Sequence, residues 1–309
     1  MRALSVDVGG THVSCAAVDD RNLVEVCTIE ADSHGRLATL LPTLSRALRG
    51  LSSRHLDNFE GIGFGFCGLV DHGACRVVST NHKYSDAADI DLLSWAREEF
   101  GLRLALENDA RMALLGERHS GAARNCDDVV LMTLGTGIGT AAVMGGHVVR
   151  GKHYQAGCLG GHFTVVAGGR LCSCGARGCF EAEASTYALP AVCRSWEGFE
   201  ASPLADEERL EFEALLRSAD LGDTVACQIR SRCIEIWAAC ALSLVHAYDP
   251  ELLIVGGGVM KSSYPIQDAI QQHIDSFAWT PWGKVRVAAA CLGSNAALLG
   301  AVPLLEEQI

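Results

Sequence analysis

Residues 3–18 read ALSVDVGGTHVSCAAV and residues 129–143 read VVLMTLGTGIGTAAV. In each, a short apolar run breaks at a turn of glycine and threonine, and a second apolar run returns. Aliphatic and β-branched runs bounded by glycine predict strands, so each stretch predicts a β-hairpin. Two copies of one device, far apart in the chain, suggest a duplicated architecture with two halves. After the first copy, Asp19-Asp20-Arg21-Asn22 turns again and Leu23 to Ile29 makes a third strand. Downstream, helical spacing (Leu37, Leu40, Leu41, Leu44, Leu48) alternates with short strands, with Pro42 marking a first turn or a bend. Gly61 to Phe66 reads as a buried strand emptying into Cys67-Gly68, and Leu102 to Leu106 as one pointing at Glu107-Asn108-Asp109. Helices follow near 92–100 and 110–119. In the second half they fall near 186–194, 206–219, 223–247 (stopped by Asp249-Pro250) and 265–277. Strands at 252–255 and 285–290 complete that half, and Ser294 is placed to cap a closing helix through Leu305. A meander mixed with strand–helix units means an α/β fold with mixed sheets.

The chain has 309 residues, 49% of them hydrophobic, which suffices for two domains. Fourteen cysteines would suit a disulfide scaffold only in a short chain; here most sit in apolar segments, as Cys227, Cys233 and Cys240 do. A reducing, cytoplasmic setting is therefore the expectation. Asp7 interrupts the first apolar run, so no secretory leader is expected, and no stretch is apolar enough to span a bilayer. A net charge of −12 with no basic run argues against nucleic acid as a partner.

Residues 161–185 read GHFTVVAGGRLCSCGARGCFEAEAS. Cys172, Cys174 and Cys179 lie within eight residues, and His162 precedes them. Three thiolates and an imidazole make a closed tetrahedral set for a structural Zn²⁺, with no position open for water. Ordinary buried thiols are the alternative, since cysteine is common here. A closed site holds a loop and does no chemistry itself.

Gly9-Gly10-Thr11 and Gly135-Thr136-Gly137 place bare backbone N–H groups and a hydroxyl at strand ends, a way to cup phosphates. Either alone could be a plain hairpin turn. A third cluster, Gly256-Gly257-Gly258, follows a strand and favours nucleotide binding, although neither a Walker loop nor a dinucleotide fingerprint is present. Asp7 is an acid inside an apolar strand, where it calls for an N–H partner or a water-bound Mg²⁺. Asn108-Asp109 opens a helix, which fits an N-cap pair and equally fits a carboxylate able to take a hydroxyl proton. Glu181 follows the last cysteine by two residues, so it reads either as an exposed acid or as a carboxylate that grips sugar hydroxyls.

Taken together, DVGGT (7–11), END (107–109), GTGIG (135–139), GGHFTV, CSCGARGCFEAEAS, LLIVGGGV and LGSNAALLGA resemble the ROK family of sugar kinases and repressors over nearly the whole chain. The resemblance implies an actin-like, RNase H-like, two-lobed kinase closing on ATP and a hexose. The N-terminal lobe would span 1–118, with a helix at about 295–309 packing back on it; the C-terminal lobe would span 119–294 and carry the zinc segment 162–179. By that match Asp109 is the catalytic base that takes the proton of a sugar 6-hydroxyl. Gly68, Asn108, His162 and Glu181 would be sugar contacts, with His162 also on zinc. Asp7, Gly9, Gly10, Thr11, Gly135, Thr136, Gly137, Gly256, Gly257 and Gly258 would hold ATP and its Mg²⁺. A glucokinase-like enzyme is implied, working as a homodimer.

Three departures bear on the acceptor. Leu159 stands where family kinases for glucose or N-acetylmannosamine usually carry a sugar-gripping Glu. Losing that carboxylate removes a charge-assisted hydrogen bond, about 1.5–3 kcal/mol, and opens fructose, allose or an N-acetylhexosamine as acceptors. Arg111 stands where the family tends to have Asn, either perturbing the cleft or pointing outward. Cys67-Gly68 replaces the usual Pro-Gly. The family's repressors add an N-terminal helix-turn-helix domain, whereas here the phosphate strand begins at Ala3. A sugar-binding descendant without kinase activity would have no need of Asp109.

Overall fold

A computed structural model describes residues 1–10, 12–31, 34–55, 58–80 and 83–308. Two compact units emerge, one made of residues 1–125, 150–156 and the stretch from Cys291 onward, the other of 126–149 and 157–290.

The first unit opens with the meander: β1 (Arg2–Val8), β2 (His12–Asp19) and β3 (Asn22–Glu30), antiparallel neighbours. Helix α1 (Leu37–Arg54) follows, then β4 (Gly61–Phe66) beside β1 and parallel to it. A hairpin of β5 (Leu69–Asp71) and β6 (Arg76–Ser79) leads to α2 (Leu92–Phe100) and β7 (Arg103–Asn108), parallel to β4. Helix α3 (Asp109–Ser120) then starts directly from the end of β7. The sheet order is β3-β2-β1-β4-β7. Alternation puts Leu4, Val6 and Phe64 on the face covered by Leu44 and Leu48 of α1, so one side of the sheet and the apolar stripe of the helix bury each other.

The second unit repeats this plan. β8 (Val129–Leu134), β9 (Ile138–Met144) and β10 (His147–Val148) form the meander. Short helices α4 (Phe180–Ala184) and α5 (Leu189–Arg194), then α6 (Phe212–Asp220) and α7 (Thr224–Tyr248), precede β11 (Leu252–Gly256), α8 (Ile266–Phe277) and β12 (Arg286–Ala289). The order β10-β9-β8-β11-β12, with β8, β11 and β12 parallel, matches the first sheet strand for strand. The duplication read from the two hairpins is therefore a property of both sheets. α7 is the central core helix: Ile229, Cys233, Trp237 and Leu244 are buried against the sheet, and the Trp237 indole N–H donates to the Ala184 carbonyl at 2.9 Å. Asp223 caps it by accepting from the Val225 and Ala226 N–H groups, and Asp249 ends it in the left-handed region before Pro250.

The chain closes with α9 (Ala296–Leu299) and α10 (Ala301–Glu306), which belong to the first unit. Gly63 lets α10 lie on β4, because a Cβ there would sit 2.6 Å from Ala301 Cα. Ser294 does not cap this segment as expected. It lies inside a 3₁₀ turn, Gly293–Asn295, and Asn295 occupies the cap position without a side-chain bond. Pro42 sits inside α1, and that helix is capped from afar: Asp86 accepts from Leu37 N–H at 2.6 Å and Ala38 N–H at 3.1 Å. The helix expected at 206–219 begins only at Phe212, residues 203–206 forming a separate 3₁₀ turn.

Candidate active site

In the first unit, parallel pairing brings three strand ends level. Asp7 of β1 lies opposite Gly65 of β4, which lies opposite Glu107 of β7; one residue further, Val8, Phe66 and Asn108 align. The chain then leaves the sheet as Gly9-Gly10, as Cys67-Gly68 and as Asp109, so these residues share one edge. The C-terminal edge of parallel strands is where α/β proteins place ligands. Gly9 N–H donates to the His12 carbonyl at 3.1 Å, closing the turn, and the Tyr84 hydroxyl donates to the Gly9 carbonyl at 2.7 Å. Thr11 lies outside the described residues.

Asn108 and Asp109 divide the two roles their sequence allows. Asn108 is the N-cap of α3: its Oδ1 accepts from Ala110 N–H at 3.1 Å and Arg111 N–H at 3.3 Å. Its Nδ2 donates to the Gly68 carbonyl at 3.1 Å and to Asp109 Oδ1 at 2.9 Å. Asp109 Oδ1 also accepts from Ala110 N–H at 2.8 Å, which leaves Oδ2 without a hydrogen bond among the described residues. Burial pushes the Asp109 carboxyl up, against the opposing pull of the Ala110 N–H, the Lys83 ammonium and the Asn108 amide. Asp7 is pushed up to about 7, first by burial and then by the negative charge of Asp109. Its carboxylate has no hydrogen-bond partner among the described residues. Among the described residues neither acid is in an ion pair, and Asp7 lies within the field of Asp109 beside a glycine turn.

Arg111 does not point outward. It is fully buried, and its guanidinium donates to Glu107 at 3.3 Å and to the carbonyls of Tyr154 at 2.9 Å and Ala156 at 2.6 Å. Glu107, equally buried, also accepts from Arg150 at 2.7 Å and from Asn108 N–H at 2.8 Å. The Glu107–Arg111 pair is local, four residues apart, but the carbonyls that complete the network come from 43 and 45 residues downstream of Arg111, which nothing in the local sequence announces.

In the second unit, the turn Gly135–Gly137 joins β8 to β9, with Gly135 N–H donating to the Gly137 carbonyl at 3.1 Å. Thr186 and Tyr187 N–H groups each donate at 3.0 Å to the Gly135 and Thr136 carbonyls. Glu181 Oε2 accepts from Ile138 N–H at 3.1 Å and lies where a Cβ on residue 137 would fall. Glycine at 137 therefore makes room for a carboxylate of the protein itself. Gly256 ends β11, Gly257 has φ of 97° with its backbone pressed on Leu134, and Gly258 opens a 3₁₀ turn to Lys261. A cavity of about 810 Å³ opens here, lined among others by Gly135, Thr136, Phe212, Leu216, Gly258 and Lys261. Phe212 and Leu216, with the glycine turns and the cations Lys261 and Arg217, suit a nucleotide, and Glu211, Glu213 and Asp220 line the same cavity. Gly135, Thr136 and Gly258 line it; Gly137, Gly256 and Gly257 support it from the adjoining turns.

His162, Cys172, Cys174 and Cys179 bring one donor atom each within 4.8 Å of all the others. Cys174 and Cys179 sulfurs are 3.7 Å apart, and Cys172 sulfur is 3.5 Å from His162 Nδ1. A tetrahedron with Zn–S bonds of about 2.3 Å has edges of about 3.8 Å, so the donor set fits zinc in both chemistry and spacing. His162 ends the 3₁₀ turn Gly160–His162, and Cys179 is the N-cap residue of α4, which carries Glu181.

No helix among the described residues is long and apolar enough to cross a membrane. The glucokinase of Thermotoga maritima is 28% identical over all of this chain and 98% of its own length. A ROK hexokinase of Thermus thermophilus superposes with a TM-score of 0.82 at 28% identity, covering 100% of this chain and 99% of its own. A ROK family glucokinase of Streptomyces griseus, solved in complex with glucose and AMPPNP, gives 0.81 at 28% identity, covering 98% of this chain and 99% of its own. The fold is the actin-like one of these sugar kinases, and residues 3–308 match the family's pattern: the chain belongs to the ROK family.

Proposed function

We propose that this chain transfers the γ-phosphoryl group of ATP to a hexose hydroxyl, the 6-hydroxyl of a glucose-like sugar being the first candidate. The observation that carries this reading is Asp109, whose Oδ1 is tied down by Asn108 and Ala110 while Oδ2 is free and the carboxyl is raised. A raised carboxylate is a better match for a hydroxyl proton than an ordinary one. Oδ2 takes that proton as the hydroxyl oxygen bonds to phosphorus and the bond to ADP breaks. Asn108 holds the base in place and, with Gly68, is assigned to the sugar, which on binding would take over bonds the two now make with each other; His162 and Glu181 are the sugar contacts of the second unit. The cavity beside Gly135, Thr136 and Gly258 takes the nucleotide, and the Gly9-Gly10-Thr11 turn its phosphates. Asp7, unpaired beside that turn, is the residue that would hold the water shell of Mg²⁺, which when bound neutralises charge on the β- and γ-phosphates. The four donors around Cys172 would hold a structural Zn²⁺ that fixes the loop leading to Glu181.

We place the protein among cytoplasmic, homodimeric kinases of small sugars, acting on no nucleic acid; family likeness and the net charge of −12 support this. Fructose, allose and N-acetylhexosamines are further acceptors to test because of Leu159. An inactive sugar-binding regulator is the second reading, and Asp109 disfavours it. Asp109→Asn decides between them: kcat should fall by about 10²- to 10⁴-fold with sugar binding retained in calorimetry. Near wild-type turnover in that variant would remove Asp109 as the base.

A further inference from the structure

Val6 of β1, Cys15 of β2 and Cys27 of β3 stand in one row across the first sheet. Cys15 lies directly opposite Val6 in one antiparallel register and directly opposite Cys27 in the next. Residues opposite one another share a face of the sheet. This row faces α1: Val6 and Cys15 are fully buried in that core, and Cys27, on the edge strand β3, is half-buried against it. Both thiols are free. Opposite residues of an antiparallel pair have Cα atoms about 4.5 or about 5.5 Å apart, according to the hydrogen bonding of the pair. A disulfide takes Cα separations of about 4.4–6.8 Å, so either spacing suits one. Cβ atoms start about 4.5–5.5 Å apart and close to about 3.5–4.5 Å, a shift of about an ångström. No other two cysteines among the described residues stand opposite each other in the two five-stranded sheets.

The surroundings of the two thiols differ, and the difference assigns their roles. Cys15 donates its S–H to the Cys27 sulfur. That bond, followed by the charge of Arg54, holds Cys27 down at about 7 against burial and the charge of Glu25. The same bond, burial and the charges of Cys27 and Asp7 push Cys15 well up. Arg54, at the end of α1, is itself paired with Glu25 at 2.6 Å, and His55 Nε2 stands 2.8 Å from the same carboxylate. Cys27 is therefore the thiolate of the pair, on the strand nearer solvent, and Cys15 keeps its proton inside. A thiolate attacks oxidants where a thiol does not, and a second cysteine beside it resolves the product.

We propose that Cys15 and Cys27 are an oxidation site, at which a peroxide oxidises Cys27 and Cys15 then closes a disulfide between β2 and β3. The Cys27 sulfur attacks one peroxide oxygen, the O–O bond breaks, and the departing hydroxide takes up a proton to become water. Cys15 then displaces the hydroxyl of the Cys27 sulfenic acid, and its own proton leaves with that hydroxyl as a second water. Two thiols are oxidised and one peroxide is reduced; a dithiol reverses the bond by exchange. The site stands whether or not the chain is a kinase.

Cleavage after Arg2, Arg21 and Arg36 separates the cysteines into peptides 3–21 and 22–36, each holding no other cysteine. The full-length protein would be treated with a few equivalents of hydrogen peroxide, alkylated, cleaved and mapped by mass spectrometry. Peptides 3–21 and 22–36 should appear linked, and dithiothreitol should part them. In Cys15→Ala, dimedone should trap Cys27 as the sulfenic acid, since nothing resolves it. The pH profile of Cys27 alkylation should also move up in that variant, from a midpoint near 7 toward the ordinary 9.0, because the donated bond is gone. Peroxide that leaves the two peptides unlinked, or that joins Cys27 to a cysteine other than Cys15, would overturn the inference. Should Cys15→Ala fail to fold, the wild-type map decides by itself.

Discussion

Asp7→Asn should make the ligand-free protein more stable at pH 8 while impairing its activity, and the size of the gain can be worked out. Asp7 titrates at about 7 in the folded chain against an ordinary value of 3.8, because burial and the charge of Asp109 both disfavour its ionised form. A group whose folded pKa is raised binds more protons folded than unfolded, so stability falls as pH climbs between the two values. Below about pH 4 the carboxyl is protonated in both states and costs nothing; above about pH 7 the full penalty is present. At about 1.4 kcal/mol per tenfold change, the penalty approaches ~4 kcal/mol, an upper limit because water reaches part of the side chain. Asparagine cannot ionise and escapes it. The assay is urea denaturation of metal-free wild type and variant at pH 4, 5, 6, 7 and 8. The difference in unfolding free energy should grow with pH and level off near 7. Amide packing and hydrogen bonding shift the whole curve but not its slope, so the slope is the test. A difference that stays flat with pH, or shrinks as pH rises, would refute the argument. Activity should fall about a hundred-fold or more, since the same unpaired charge is assigned to the metal's water shell.

Other perturbations separate the remaining parts of the site. Gly137→Ala should push the Glu181 carboxylate off Ile138 N–H, raising the sugar KM about ten- to a hundred-fold and the ATP KM much less; steady-state kinetics in both substrates reads this. Arg111→Met should destabilise by about 3–5 kcal/mol because it strips a buried carboxylate of one partner, and adding Glu107→Gln should recover part of the loss in denaturant titrations. Cys174→Ser should lower bound zinc from one per chain to under about a tenth, measured by elemental analysis, because one of four thiolate or imidazole donors is gone.

Much of the fold is written in local pattern. The two hairpin devices foretold two sheets built alike, the strand read at 61–66 is β4 to the residue, and Asp249-Pro250 does end α7. The clustering of His162, Cys172, Cys174 and Cys179 was legible because all four fall within eighteen residues, close enough for one loop to gather them. Features made by distant partners were not legible. Asp86 caps α1 from 49 residues away, which no capping rule along the chain can anticipate. The sequence leaves Glu181 open between an exposed acid and a sugar carboxylate; its bond to Ile138 depends on glycine at 137, and only the folded turn brings the two together.

Three acids at one sheet edge show what such long-range contacts decide. Asp7, Glu107 and Asp109 look alike in sequence, each closing or just following an apolar strand, and Asp7 and Glu107 stand level across β4. In the structure Glu107 is spent: both oxygens are engaged, by Arg111 and Arg150, and a fully paired carboxylate has little left to offer a substrate. Asp7 and Asp109 lack such partners, so burial acts on them unopposed by any salt bridge and raises both. A base has to be free on one oxygen and reluctant to stay charged, and only environment separates those that are from those that are not. Arg111, the departure from the family pattern, thus acts on the neighbour of the proposed base. With Arg150 it neutralises Glu107 and so removes one negative charge from beside Asp109, which would otherwise face a further like charge besides Asp7.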